Sequence, residues 1–359
     1  MYPALSVLKM LENEVQAVLW VGGKGGMEAD LVTHAGVPFM AIPAAGVHGV
    51  GARALPGNLL RLAQGMLAAR RILSEFKPDV IFFTGGYVAA PVAVAGRKRP
   101  ILLYVPDIEP GLALRFLARF ASSIALTTES SRQYFSTRAE VKVTGYPTRP
   151  ELAAWKRTTA RKHFNLAEDE PVLLVSGGSK GARTINQPVL ENLSELLQLA
   201  QVIHLTGSLD KPEADKAHNE LPAEFQGRYH VFDYLHEDMG AALAAADLAV
   251  TRAGASTLGE YPLAGLPAIL VPYQYAWRYQ KVNADYLQHL GAAIILEADQ
   301  LADQLMPTLR SLVGNPQRLN VMQQAMRSQA RPDAAGQIAG MLKELAERSS
   351  RGGKGEKTW

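Results

Sequence analysis

The chain is predicted to be an α/β protein of two doubly wound, Rossmann-like domains, each a parallel sheet covered by helices. Three observations predict this class. Short apolar runs of strand length alternate along the whole chain with segments whose apolar residues recur every three or four positions. The alternation restarts at Pro171 with a second strand–turn–helix series. The 359 residues are enough for two good-sized cores.

Taken in order, "VQAVLWVGG" (Val15 to Gly23) reads as a strand, "GMEADLVTHAG" as the helix after it, and "VPFMAIP" as a short strand. Asn58 to Phe76 has the three- and four-residue spacing of an amphipathic helix. "DVIFFTGG" and "PILLYVP" read as buried strands ending in turns, and "SIALTT" and "VKVTGYP" close the first half. The second series runs through "PVLLVSGGSKGARTINQPVLENLSELL", "AQVIHLTG", "RYHVFDYL", "ADLAVTRAG", "PAILVPY" and "AAIILEA". The expected division is 1–149 for the first domain, 150–328 for the second, 329–349 for a closing helix and 350–359 for a disordered tail. One feature is at odds with the class. "MYPALSVLKMLENE" is already helical, whereas the first strand of a doubly wound domain is usually central and its loop builds the ligand crevice. A missing first strand would expose two strand edges. The reading adopted is a late start at Met1; the alternative is a domain that begins with a helix.

Composition excludes several classes. A formal net charge of +3 is too mild to argue for nucleic acid, so none is expected as a partner, and any anionic partner must be met by local patches. Cysteine is absent, which removes disulfides and thiolate zinc sites and fits a reducing compartment. No charge-free apolar run reaches the ~20 residues of a membrane helix, and the N-terminus lacks the regions of a signal peptide.

Three strand-to-helix corners carry small residues: "TGGYVAAP" with Gly85, Gly86 and Tyr87, "SGGSKGAR" with Gly178, Ser179 and Lys180, and "TRAGAST" with Gly254, Ala255, Ser256 and Thr257. Such corners let backbone approach a ligand, with unpaired N–H groups and the positive end of a helix facing it. Each could equally be a packing turn. Glu260 follows the third corner. Its carboxylate only accepts hydrogen bonds, so beside a diphosphate it needs hydroxyl donors, and a ribose diol supplies two. The alternative is a capping box, since Thr257 and Glu260 have that spacing.

"VLLVSGGSKGARTINQ", "AAADLAVTRAGASTLGEYPLAGLPAILVPY" and "GGYVAAP" together resemble the MurG family, the UDP-N-acetylglucosamine transferases of peptidoglycan synthesis. The likeness spans nearly the whole chain and is strongest from Pro171 to Ala293. It implies a GT-B fold of two facing Rossmann-like domains, and an inverting transfer of N-acetylglucosamine to lipid I that forms lipid II at the cytoplasmic membrane face. UDP-N-acetylglucosamine and a lipid-linked acceptor are the implied partners, and no cofactor or metal is required. By this resemblance Glu260 binds the ribose and Ala255, Ser256 and Thr257 line the diphosphate. Ser179 matches the serine of "GGSQG", with Lys180 in place of glutamine, and Arg149 in "GYPTR" matches a diphosphate-contacting arginine. Gln280 and Asn283 match "QxxNA", with Gln280 at the donor sugar. Tyr234 and Leu235 match the pair at the uracil.

The acceptor side departs from the family. Its "GGTGGH" loop is absent, and its "HEQN" stands here as "YVPD", Tyr104 to Asp107. Asp107 is the candidate base or acceptor contact; the other readings are a turn former between Pro106 and Pro110, surface solvation, or a metal pair with Glu109. The eight histidines show no metal spacing; His204 reads as a core or strand-end residue and His48 as a loop residue near the crevice. Leu59, Leu60, Leu62, Met66, Leu67 and Ile72 with Arg61, Arg70 and Arg71, and Phe116 and Phe120 with Arg115 and Arg119, suit an anionic membrane surface or, alternatively, ordinary sheet-covering helices. The rival functions are a related lipid glycosyltransferase such as a diacylglycerol galactosyltransferase, a UDP-N-acetylglucosamine 2-epimerase, and a non-catalytic UDP-sugar-binding subunit.

Overall fold

The structure, a computed structural model, describes residues 1–25, 28–45, 55–136, 138–178, 181–273 and 279–352. Its contacts divide the chain into two units, Met1–Pro147 together with the segment from Asp333 onward, and Thr148–Pro332.

In the first unit, β1 (Trp20–Gly23) pairs in parallel with β2 (Phe39–Ile42). The strand read over Val15 to Gly23 is shortened to its last four residues because residues 12–17 are exposed and have no sheet to join. A separate parallel sheet contains β3 (Ile81–Phe83), β4 (Ile101–Val105), β5 (Ser123–Leu126) and β6 (Glu140–Val143) in that order. All five residues of β4 are buried, as expected of a strand covered on both faces. β6 is an edge, and its exposure alternates along the strand. Ile42, Ile72, Phe83, Leu103 and Ile124 share one core, against which Leu19 and Val21 pack, so the two sheets enclose the same apolar interior. Among the described residues β1 bonds only to β2 and β3 only to β4, so β1 and β3 are edge strands of their sheets. The closing helix, Ala334–Gly352, belongs to this unit and packs on the opening helix Tyr2–Leu11.

The second unit is one six-stranded parallel sheet in the order β12-β11-β10-β7-β8-β9. Its strands are β7 (Val172–Ser176), β8 (Gln201–Leu205), β9 (Tyr229–Phe232), β10 (Leu248–Thr251), β11 (Ala268–Leu270) and β12 (Ala293–Ile295). The chain builds outward from β7 to β9, then returns to the other side of β7 to start β10. The switch point therefore falls between β7 and β10, and a crevice at their carboxyl ends is the geometric consequence. Ser176 and Thr251 are register partners, so the loops leaving both strands start at the same level.

At the opposite end of these two strands sits a buried ionic brace. Arg161, 1% exposed, donates to the carbonyls of Ala245, Ala167, Glu168 and Glu170 and pairs with Asp247 at 2.7 Å. Asp247 also accepts from the Val172 amide at 2.9 Å and from Arg157. One guanidinium thus closes off carbonyls from two loops and, through Asp247, holds the starts of β7 and β10 side by side.

Candidate active site

The first corner of the second unit leaves β7 through Gly177 and Gly178 and enters the helix Arg183–Glu191. A Cβ on Gly177 would lie 2.2 Å from the Ala182 nitrogen, and one on Gly181 would lie 2.1 Å from the Thr206 carbonyl oxygen. Glycine is required at both because backbone occupies the space a side chain would need. Gly178 has nothing within 4 Å of its Cβ position, so it borders open space. Ser179 and Lys180, expected at the nucleotide, lie outside the described residues, as does His48.

The second corner leaves β10 as Arg252, Ala253 and Gly254, turns through a 3-10 segment Ala255–Leu258, and enters the helix Glu260–Ala264. Gly254 also borders open space, and Ala255 and Ser256 are half-buried. The N–H groups that open such a turn have no partner within it. The Thr257 side chain is buried and its hydroxyl donates to the Gly254 carbonyl at 2.6 Å, so it stiffens the turn.

Glu260 stands at the first position of its helix with Gly259 as the cap, and no side chain caps that end. The capping-box alternative therefore lacks its defining bond. None of the hydrogen bonds among the described residues reaches the Glu260 carboxylate. Burial raises its pKa above the usual carboxylate value, and the positive charge of Arg149 opposes that shift. Arg149 donates from Nη1 to the His236 carbonyl at 2.9 Å. That bond ties it to the loop after β9, where Leu235 is buried and the Tyr234 ring meets His236 edge-on at 4.6 Å. Arg149, Tyr234, Leu235 and Glu260, separated by up to 111 positions in the chain, are thus brought to one end of one sheet.

Asn283 is 0% exposed, and its amide donates to the Ala253 carbonyl at 3.1 Å, so it holds the second corner from behind. Gln280, half-buried, accepts from the Tyr273 amide at 2.9 Å and thereby shapes the loop after β11.

Two residues of this end escaped the sequence reading. Arg252 donates to the Val271 carbonyl at 3.0 Å, reaches the Thr184 hydroxyl in the first corner's helix, and lies over the Tyr273 ring at 5.3 Å. It links the two corners directly. Its signal was a cation between a buried strand and "AG", where a solvated strand-end residue is equally common. Tyr261, buried next to Glu260, hydrogen-bonds Thr251 at the end of β10 and so fixes where the Glu260 helix begins.

In the first unit, Gly85 and Gly86 follow β3 with φ of 115° and 91°, which only glycine adopts without strain. Tyr87 beyond them is 62% exposed and available to a ligand. Asp107 is half-buried just past β4. Tyr104, which stands where the family has histidine, is fully buried with its hydroxyl 2.8 Å from Thr127 Oγ1, so it faces the core. Glu109 pairs with Arg115 at 3.0 Å, which engages one half of the suggested metal pair. A recess of about 260 Å³ beside Arg157, Asp247 and Asn320 lies at the amino ends of β7 and β10, away from both corners of that sheet.

Comparison with known proteins fits this geometry. Residues 1–126 match the glycosyltransferase family 28 N-terminal domain, and residues 172–338 match the family 28 C-terminal domain. The UDP-N-acetylglucosamine--N-acetylmuramyl-(pentapeptide) pyrophosphoryl-undecaprenol N-acetylglucosamine transferase of Roseiflexus sp. (strain RS-1) is 40% identical over 92% of this chain and 84% of its own length. The transferase of the same name from Desulforamulus reducens is 35% identical over 97% of this chain and 96% of its own. The chain belongs to the MurG family of glycosyltransferases. The crystal structure of Acinetobacter baumannii MurG superposes with a TM-score of 0.76 at 26% identity, covering 96% of this chain and 95% of that one. The fold is therefore GT-B, and the corners of the second unit belong to a UDP-N-acetylglucosamine-dependent glycosyltransferase. Among the described residues no helix is long and apolar enough to cross a membrane.

Proposed function

We infer that this transferase moves N-acetylglucosamine from UDP-N-acetylglucosamine to the muramyl 4-hydroxyl of a lipid-linked muramyl pentapeptide, at the surface of an anionic membrane. The observation that carries the donor half is Glu260, an acceptor-only side chain without a hydrogen-bond donor among the described residues, beside the Arg149 charge at the end of β10. Ribose hydroxyls supply the donors it lacks. The diphosphate takes the N–H groups of the small-residue corners and Arg149, and Tyr234 and Leu235 meet the uracil. The attacking 4-hydroxyl oxygen bonds to the anomeric carbon as the bond to the diphosphate oxygen breaks. UDP leaves with the electron pair, and the configuration inverts. Asp107 is the first unit's group for taking the hydroxyl proton. Charge gathering on UDP is met by fixed dipoles and Arg149, so the reading calls for no metal.

Incubating the chain with UDP-N-acetylglucosamine, with and without lipid I, tests this. UDP release only when lipid I is present supports the reading. Sugar epimerisation without acceptor would point to the isomerase, and binding without turnover to an inert subunit. Asp107→Asn should keep donor affinity and lose turnover; full activity would remove it from the chemistry.

The membrane half rests on the helix Leu55–Phe76 of the first unit, where Leu59, Leu60 and Leu67 are 53%, 61% and 66% exposed. Arg61 and Arg70 are exposed on the same helix. Apolar side chains flanked by cations gain both burial and attraction at an anionic lipid surface. The double change Leu60→Asp and Leu67→Asp should lower partitioning onto phosphatidylglycerol vesicles by roughly tenfold, with UDP affinity unchanged. Equal partitioning of variant and wild type would refute this surface.

A further inference from the structure

A line of buried polar side chains runs from β9 to the first glycine corner, and the reaction above makes no use of it. Tyr229 opens β9, His204 lies within β8, and Asn186 is in the first turn of the helix Arg183–Glu191. They are 1%, 0% and 1% exposed. The Tyr229 hydroxyl is 2.8 Å from His204 Nδ1, and His204 Nε2 is 3.0 Å from Asn186 Oδ1. Asn186 Nδ2 donates to the Thr206 carbonyl at 2.7 Å and to Asp210 Oδ2 at 2.8 Å.

Only one arrangement of protons satisfies every contact. The Thr206 carbonyl and the Asp210 carboxylate can only accept, so both amide protons of Asn186 are committed to them. Asn186 Oδ1 must then accept, and His204 Nε2 must carry the proton. Burial lowers the His204 pKa to about 3, so the ring is neutral and Nδ1 holds a lone pair. The Tyr229 hydroxyl therefore donates. The line ends on Thr206, whose carbonyl oxygen is the atom that Gly181 packs against. At its other end Tyr229 is held in the sheet by the pairing of β8 with β9.

We propose that Tyr229, His204 and Asn186 form a hydrogen-bond relay of fixed direction that positions the glycine corner for the donor diphosphate. Tyr229 is the remote member, acting through the other two. The proposal rests on the reading that places the diphosphate at this corner. All three are positioning residues and touch no substrate. Asn186 Oδ1 selects the Nε2–H tautomer, and the Tyr229 hydroxyl satisfies the lone pair this leaves on Nδ1. Without that hydroxyl the buried Nδ1 lone pair has no donor, the ring is held from one side only, and the clamp of Asn186 on the Thr206 carbonyl loosens.

The test is UDP calorimetry and steady-state kinetics on wild type, Tyr229→Phe, His204→Leu and His204→Gln, with histidine-selective ¹⁵N NMR of the wild type. Tyr229→Phe and His204→Leu should raise the UDP Kd and the KM for UDP-N-acetylglucosamine by about five- to tenfold, with kcat within about twofold. His204→Gln should restore most of the affinity, because its amide can donate to Asn186 and accept from Tyr229; a merely space-filling role would predict no such rescue. In the wild type, His204 should show the Nε2–H tautomer without titrating between about pH 5.5 and 8.5, a readout that stands even if a variant fails to fold. An Nδ1–H tautomer, or a Tyr229→Phe protein that binds UDP as wild type does, would overturn the relay while leaving the donor site intact. A wild type that takes up no UDP would overturn the donor-site reading, and the relay with it.

Discussion

Glu260→Ala is expected to weaken UDP-N-acetylglucosamine binding by about 1–3 kcal/mol, the scale of hydrogen bonds to a charged group. The carboxylate is half-buried, uncapped and opposed only by the Arg149 charge, so its acceptor capacity is directed to a ligand. The direction of its pKa shift adds a second signature. A raised carboxyl pKa means that the native state binds this proton more tightly than the unfolded chain. Stability of the unliganded protein is therefore reduced above the native pKa and recovers as pH falls through it. Donor affinity moves the other way, because a protonated carboxyl accepts fewer hydroxyl donors. Titration calorimetry against pH should show affinity falling at a higher pH than an ordinary glutamate would produce, and Glu260→Gln should flatten the curve at the weak level. Unchanged affinity in Glu260→Ala would return the residue to a purely helical role.

Arg161→Met is expected to destabilise the protein by about 3–5 kcal/mol, the range for removing one partner of a buried ion pair. Methionine fills much of the volume but has no donors. Four backbone carbonyls would lose their guanidinium contacts, and Asp247 would keep only the Val172 amide and the exposed Arg157. The midpoint of urea unfolding should fall with the slope unchanged. The brace sits at the amino ends of β7 and β10, opposite the corners, so UDP affinity per folded molecule should stay at the wild-type value. A loss below about 1 kcal/mol would show that water replaces the guanidinium readily at this site.

The small-residue corners and Glu260 were legible because their signals are local: a buried strand, then glycines, then a helix start with an acid. The bonds that Thr257 and Asn283 make to the second corner were not legible, because spacing cannot reveal them. A polar side chain beside a corner can face the ligand or the corner's own carbonyls, and only packing decides which. Arg252 was passed over because its partners, Val271 and Thr184, are 19 and 68 positions away.

The amino-acid sequence alone determined the alternating α/β class and the small-residue corners of the second half, since periodicity and turn chemistry act over a few neighbours, while its resemblance to the MurG family implied the glycosyltransferase. Only the tertiary structure decided that β7 and β10 lie side by side in register, so that corners about 75 residues apart open at one level. It also decided that Tyr229, His204 and Asn186 join into a single buried line behind the first corner. Those outcomes depend on strand order and on which polar groups burial forces to pair, and both are settled only when distant segments pack.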